Sequence, residues 1–443
     1  MALTFGVRRR ESVLIGPASP TTLETKRLSD LDDQENLRSY GTIKELHVYG
    51  VFFYRGGPVS GGDLVDIIRR ALSEALVQYY PLAGRLREVE DRKLVVDCTG
   101  EGMTFVEADA DVRLEDLEAD GHGLVPPFPW IEQLDFKAEV PSGVINCPLV
   151  LFQVTRLLCG GFIMLHRFNH TMCDAMGVVQ FMDAVAELAR GLPAPTVAPA
   201  WSRELPAFPH HEYDPLPPTH TDDDDDMIKR SFLFSPAEVT RMKNGLPPYL
   251  RDRATSYEVF AAVLWRARTV ALALWPDEET RFVTVVSVKR HSALGLPSGY
   301  YGCACVNATV VMPAGTLLGC SMADVVERVR EAKASVTAEY VRSMADHLVL
   351  HGRPPLARAS MLLLSDLRHV GFHRVDFGWG KPVYGGPFHV RFGSAFLVAI
   401  KNRVGEDAVA VQLALPSAED GHGQVRRRDP ELAQRVKARE FVT

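Results

Sequence analysis

The chain has 443 residues, 46% hydrophobic and 24% charged, with 49 Lys and Arg against 56 Asp and Glu and a formal net charge of −7. This is the composition of a packed globular protein, and the acidic balance argues against a nucleic-acid binder, which carries a basic face. No apolar run reaches membrane-spanning length, and the N-terminal MALTFGVRRRESV lacks the apolar core and cleavage site of a secretory signal, so a cytoplasmic protein with no membrane partner is expected.

In chain order, residues 45–53 read as a strand. Asp63 then caps a helix in which Leu64, Ile67, Ile68, Ala71, Leu72, Ala75, Leu76 and Tyr79 recur at helical spacing, with Pro81 and Gly84 ending it. Short strands are predicted at 94–96 and 103–107. Residues 149–158 and 162–168 form a strand pair around a Cys159-Gly160-Gly161 turn. A helix follows over 175–190, stopped by Gly191 and Pro193. Residues 193–227 are rich in Pro and contain five consecutive aspartates at 222–226, which predicts a solvated linker. Beyond it, the capping box Thr255-Ser256-Tyr257-Glu258 opens a helix through Ala267. Strands are predicted at 281–288, 303–311, 361–365, 394–400 and 408–415, and one helix over 322–341. Helices and strands mix without strict alternation, so the class is α/β or α+β, with mixed sheets covered by helices in each half. The seven cysteines are scattered and lack a CxxC pair, which predicts reduced, mostly buried thiols. Cys303 and Cys305 are expected on one face of a strand.

The most informative segment is HRFNHTMCDAMG, residues 166–177. His170 falls where a buried strand ends and a helix begins, the place in open sheets where side chains leave the core for a crevice. A histidine titrates near neutral pH, so it can take a proton and return it. Asp174 lies near the helix N-terminus, where it can cap the helix or orient the His170 region. His166, His170 and Asp174 are spaced by four, but the first lies on a strand, where four residues span about 13 Å, so a shared metal is not expected. There is no G-x-S-x-G elbow, no phosphate loop and no H-E-x-x-H. Gly378-Trp379-Gly380 lacks the third glycine of a dinucleotide fingerprint, and Gly385-Gly386 reads as a turn.

HTMCDAMG at 170–177 together with DFGWG at 376–380 resembles the BAHD acyltransferases, which carry HxxxD in the middle of the chain and DFGWG toward its end. LSDLDDQ (28–34), YYPLAGR (79–85), VDCTGEG (96–102), HHEYD (210–214), YYG (300–302) and DFGWGKPVYGG (376–386) are similar to the branch containing benzyl alcohol O-benzoyltransferases and other alcohol acyltransferases. The resemblance implies two chloramphenicol-acetyltransferase-like domains, residues 1–192 and 228–443, joined by a crossover at 193–227. It also implies acyl transfer from acyl-CoA to an alcohol hydroxyl, with an aromatic acyl group such as benzoyl. His170 is then the general base. Asp376 is the second motif's key residue, with a structural role. Asp174, Gly177, Gly378 and Trp379 shape the site, Trp379 being a candidate oxyanion donor. Lys289 takes the place of the arginine that usually pairs with the DFGWG aspartate, so an Asp376–Lys289 pair is expected. Cys303 stands where related sequences often carry Asn. Ser256, Ser365 and Asp366 are candidate contacts for acyl-CoA, the co-substrate. No permanently bound cofactor and no metal are implied, the partners are small molecules, and a monomer is expected. An amine acceptor, or a non-catalytic relative that binds CoA thioesters, are the alternatives.

Overall fold

The computed structural model describes residues 3–29, 31–32, 47–56, 62–90, 93–119, 123–136, 145–203, 227–351, 360–390, 393–402 and 404–416. The acidic run at 222–226, the HHEYD segment at 210–214 and the tail beyond Pro416 lie outside these residues.

The predicted strands at 45–53, 149–158 and 162–168 form as His47–Tyr54, Val150–Leu157 and Phe162–Asn169. They lie side by side in a mixed sheet whose order is Val7–Arg9, Met103–Ala110, Val150–Leu157, Phe162–Asn169, His47–Tyr54, Tyr384–Pro387. Both faces of this sheet are covered, which is why its central strands read as nearly unbroken apolar runs. Phe52 and Tyr54 point to one face and Val51 and Phe53 to the other, as period-two geometry requires. Helices Leu64–Gln78 and Ala175–Ala189 pack on the first face with Phe152, Phe168 and Phe181. Asp63 caps the former as expected, accepting from the Val65 amide at 2.7 Å. The opposite face holds Trp130, Phe128 and Tyr384, and meets Val398, Ile400, Ala408 and Ala410 of a second sheet.

That second sheet runs Met227–Phe234, Asp407–Pro416, Ser394–Lys401, Met361–Asp366, Glu279–Ser287, Cys305–Pro313. Helices Ser256–Ala271 and Met322–Ala334 cover it over a core of Trp265, Phe260, Phe282, Leu364 and Leu397. The Thr255 capping box forms as read, its hydroxyl accepting from the Glu258 amide and the Glu258 carboxylate accepting from the Thr255 amide. The mixed α/β class and the pair of helix-covered sheets agree with the sequence reading.

Four local expectations are corrected. The predicted 322–341 helix is two, Met322–Ala334 and Ala338–His351, broken at Ser335. The strand predicted from 303 begins at Cys305, so Cys303 lies in the segment that leads into it. Met227–Phe234, at the end of the predicted linker, is a strand paired with Asp407–Pro416. The glycine pair at 385–386, read as a turn, is a strand that pairs antiparallel with His47–Tyr54. There Gly385 leaves the space that the Phe52 ring and the Phe372 carbonyl occupy. Residues 372–387 therefore pack with the first sheet although they follow the linker.

Candidate active site

His170 is the first residue beyond strand Phe162–Asn169 and is half-buried. Its turn is pinned by Asn169, whose Oδ1 accepts from the Thr171 amide at 3.1 Å and the Thr171 hydroxyl at 2.6 Å. Such a side-chain turn offers the backbone an alternative to continuing the strand. Asp174 then opens helix Ala175–Ala189: Oδ1 accepts from the Gly177 amide at 2.9 Å. Its other oxygen accepts from the Ala304 amide at 3.1 Å and from the Cys305 thiol at 3.5 Å. Asp174 is only 5% exposed. It thus caps the helix and ties the segment entering the second sheet to it. A Cβ at Gly177 would collide with the Tyr301 carbonyl, so glycine is required where these two backbones meet.

The Tyr300–Cys305 segment wraps the His170 turn. The Cys303 sulfur lies 3.0 Å from the His170 carbonyl oxygen and 3.6 Å from Nδ1. The Cys303 amide donates to Asp32 Oδ1 at 2.8 Å. Asp32, 0% exposed, pairs with the 1% exposed Arg203 at 2.6 Å. Arg203 also donates to the Met172 carbonyl at 2.7 Å and stacks over Trp201. Gly302 supplies the space for its guanidinium. A buried pair of this kind is costly to break, since removing one partner strands a charge. Asp32, Arg203 and Cys303 escaped sequence reasoning as site-shaping residues, although LSDLDDQ and YYG were recognised as family-like segments. Their contacts run over as many as 271 positions of chain.

His166 does not join the site. It is sealed among Phe52, Phe152 and Phe168, and burial pushes its imidazole down to about 3. Gly50, directly opposite on the neighbouring strand, leaves room for the ring.

The DFGWG loop lies elsewhere. Asp376 Oδ1 accepts from the amides of Gly378 at 2.7 Å and Gly380 at 3.1 Å. Both glycines have positive φ, 95° and 100°, which favours glycine there. Arg190, the residue that closes helix Ala175–Ala189, donates to the Asp376 carbonyl. DFGWG therefore sits at the C-terminal end of the helix whose N-terminal end carries the HxxxD motif, roughly 20 Å away along a 15-residue helix. This placement leaves Asp376 to its own loop and corrects the expectation for Trp379. Asp376 does not reach His170, so it is a loop-forming residue. Trp379, packed on Phe377 and Phe162, is not positioned to donate to an oxyanion at His170. Nor does Lys289 pair with Asp376: its ammonium donates to Gln180 Oε1 at 3.2 Å, near Asp174, and burial lowers its pKa. Gln180 stands midway along the HxxxD helix and also donates to the Gly299 carbonyl at 2.8 Å, so Lys289 links the sheets near the first motif. Arg190 and the loop's own amides instead take the carbonyl and Oδ1 of Asp376.

Of the candidate acyl-CoA contacts, Ser256 and Asp366 converge on a residue the sequence reading missed. Arg368 grips Asp366 with two nitrogens, at 2.8 and 2.6 Å, and donates to the Ser256 hydroxyl at 2.9 Å. Ser365 precedes Asp366 on strand Met361–Asp366 and is half-buried.

Two helix-covered mixed sheets, with a histidine held at the seam between them, define the acyltransferase class. Residues 5–419 match the model of the Transferase family, and the chain belongs to that family, the BAHD acyltransferases. It is 46% identical over 430 residues to a benzyl alcohol O-benzoyltransferase of Petunia hybrida, covering 94% of this chain and 91% of that one. It is 43% identical over 427 residues to alcohol acyltransferase 16 of Actinidia chinensis var. chinensis, covering 94% and 92%. The fold is also that of vinorine synthase, with a TM-score of 0.69 at 21% identity over 93% of this chain and 95% of that one. The same TM-score, 0.69 at 17% identity, relates it to F. graminearum TRI101 solved with coenzyme A and deoxynivalenol, over 93% and 98%.

Proposed function

We propose that this enzyme transfers an aromatic acyl group, benzoyl in type, from acyl-CoA to an alcohol hydroxyl, with His170 as general base. The observation that carries the reading is a half-buried imidazole fixed on a rigid turn between the two sheets, in a chain 46% identical to an O-benzoyltransferase. His170 takes the proton of the acceptor hydroxyl as its oxygen attacks the thioester carbonyl. The tetrahedral oxyanion collapses, the C–S bond breaks, and the imidazolium returns its proton to the CoA thiolate. The products are an ester and free CoA, with no acyl-enzyme. Holding both substrates in line beside one base supplies much of the acceleration. Asp174, Gly177 and Lys289 shape this region. Asp376, Gly378 and Trp379 form a structural loop that supports the far end of the same helix. Ser256, Ser365 and Asp366, with Arg368 between the first and last, are a candidate contact area for acyl-CoA.

The division into residues 1–192 and 228–443 with a crossover between them is consistent with the two sheets, except that 372–387 pack with the first. No helix among the described residues is long and apolar enough to cross a membrane. A cytoplasmic monomer acting on small molecules is the corresponding reading. The test is release of free thiol by purified protein from benzoyl-CoA and benzyl alcohol, set against a panel of other acyl-CoAs, alcohols and amines. His170→Ala should lower turnover by about 10²–10⁴-fold while the protein stays folded. Near-wild-type turnover in that variant would falsify the base assignment, and faster turnover with an amine would move the acceptor class.

A further inference from the structure

We infer that Cys303 is a positioning residue for His170: its thiol donates to the His170 carbonyl while its sulfur accepts the Nδ1 proton, leaving Nε2 bare for the substrate hydroxyl. This rests on His170 being the base. The two distances, 3.0 Å from sulfur to the carbonyl oxygen and 3.6 Å to Nδ1, put one sulfur against both groups of one residue. A thiol carries one hydrogen and can accept others weakly. With its hydrogen spent on the carbonyl, the sulfur can face Nδ1 only as an acceptor, which requires hydrogen on Nδ1. The partner of one ring nitrogen decides which nitrogen is protonated.

The sulfur cannot easily drift. The Cys303 amide is held by Asp32, the next amide, that of Ala304, by Asp174, and Arg203 holds Met172 on the other side of His170. The ionisable groups facing Cys303 are Asp32, Asp174, Arg203 and Cys173, with Cys305 and Lys289 beside Asp174. Burial, with Asp32 and Asp174 adding to it, pushes the Cys303 thiol well above its ordinary range, so it keeps its hydrogen at neutral pH. The chain thus places a neutral, polarisable acceptor where an ionised group would turn the imidazole into a permanent imidazolium.

The test uses the full-length protein with histidine-selective ¹⁵N labelling, the His170 signals being identified by their loss in His170→Ala. The expected spectrum has Nδ1 protonated and Nε2 bare at pH 8. Cys303→Ala should let the tautomer redistribute, shift the acid limb of the kcat–pH profile and lower kcat by about tenfold with KM for acyl-CoA unchanged. Cys303→Ser, which keeps a donor and an acceptor, should recover most of the loss. A wild-type ring protonated at Nε2 overturns the inference, and this needs no variant to fold. So does a folded Cys303→Ala protein with unchanged kcat, pH limb and tautomer. If His170→Ala itself remains active, the base reading falls and this inference with it. If His170→Ala is dead while Cys303→Ala is unaffected, only this inference falls.

Discussion

Replacing Asp174 with Ala separates an architectural role for this aspartate from a chemical one. One oxygen caps helix Ala175–Ala189 and the other holds the Ala304 amide and the Cys305 thiol. Losing an N-cap costs about 0.5–2 kcal/mol. Ala304 is 0% exposed, so its amide is left buried without that acceptor, which costs about 1–3 kcal/mol more. The sum is about 1.5–5 kcal/mol. With an unfolding entropy of roughly 2.1 cal/mol/K per residue, cooperative unfolding of the whole chain converts this into a drop in Tm of about 2–5 °C. Asp174→Asn keeps one acceptor but turns an amide toward another donor, and it should fall between wild type and alanine. Turnover should fall with stability, because the 303–305 segment that borders His170 loosens. The measurements are calorimetry and thiol-release kinetics on the same preparations. An alanine variant that melts with wild type yet has no turnover would refute the reasoning and make Asp174 a participant in proton transfer.

Gly50→Ala should overpack the His166 ring and destabilise by about 1–3 kcal/mol, read by chemical denaturation; a neutral result would mean the imidazole has room to move. Asp183, near the DFGWG loop, has its carboxyl pushed up to about 6 by burial, against an ordinary value near 3.8. Its native pKa is raised, so the unfolded chain gives up the proton first, and stability is lost as pH climbs from about 4 to 6. Asp183→Asn should therefore leave stability at pH 4 unchanged and raise it by about 1 kcal/mol at pH 7, discounted for the residue's partial exposure. Asp376→Ala frees the exposed Gly378 and Gly380 amides to water and should cost about 0.5–1.5 kcal/mol, with activity reduced only in proportion to folded protein. Loss of all turnover at an unchanged Tm would contradict the 20 Å separation argued for it.

The strand pair at 150–169 and the helix after it were readable because apolar period, glycine turn and cap all agree there. The same consistency made His170 readable, standing where a strand period stops and a helix cap begins. Other elements lacked it. YGGP at 384–387 has the composition of a turn and is a strand only because Phe52 and Phe372 fill the space its glycines leave. MIKRSFLF at 227–234 breaks its alternation with Lys229 and Arg230 and follows five aspartates. The break at Ser335-Val336-Thr337 carries neither Gly nor Pro, so one helix was read where there are two. The surroundings of His170 were hidden for a different reason. Asp32, Arg203 and Cys303 come from three distant stretches, and no local period records that they meet. The Asp376–Lys289 pair was expected from position in a motif, but a carboxylate follows the donors nearest it, and those are the glycines of its own loop.

The strand Tyr384–Pro387 belongs by sequence to the later half and by hydrogen bonding to the earlier one. A gene cut within 204–226 would give a first fragment with the long edge of His47–Tyr54 bare and Phe52 uncovered, an invitation to aggregate. The second fragment would carry the missing strand on a stretch with no sheet of its own. Expressed together, the two should find each other through that strand, since each holds what the other lacks. The enzyme is thus a natural candidate for a split reporter, in which ester formation signals that its two pieces have been brought together.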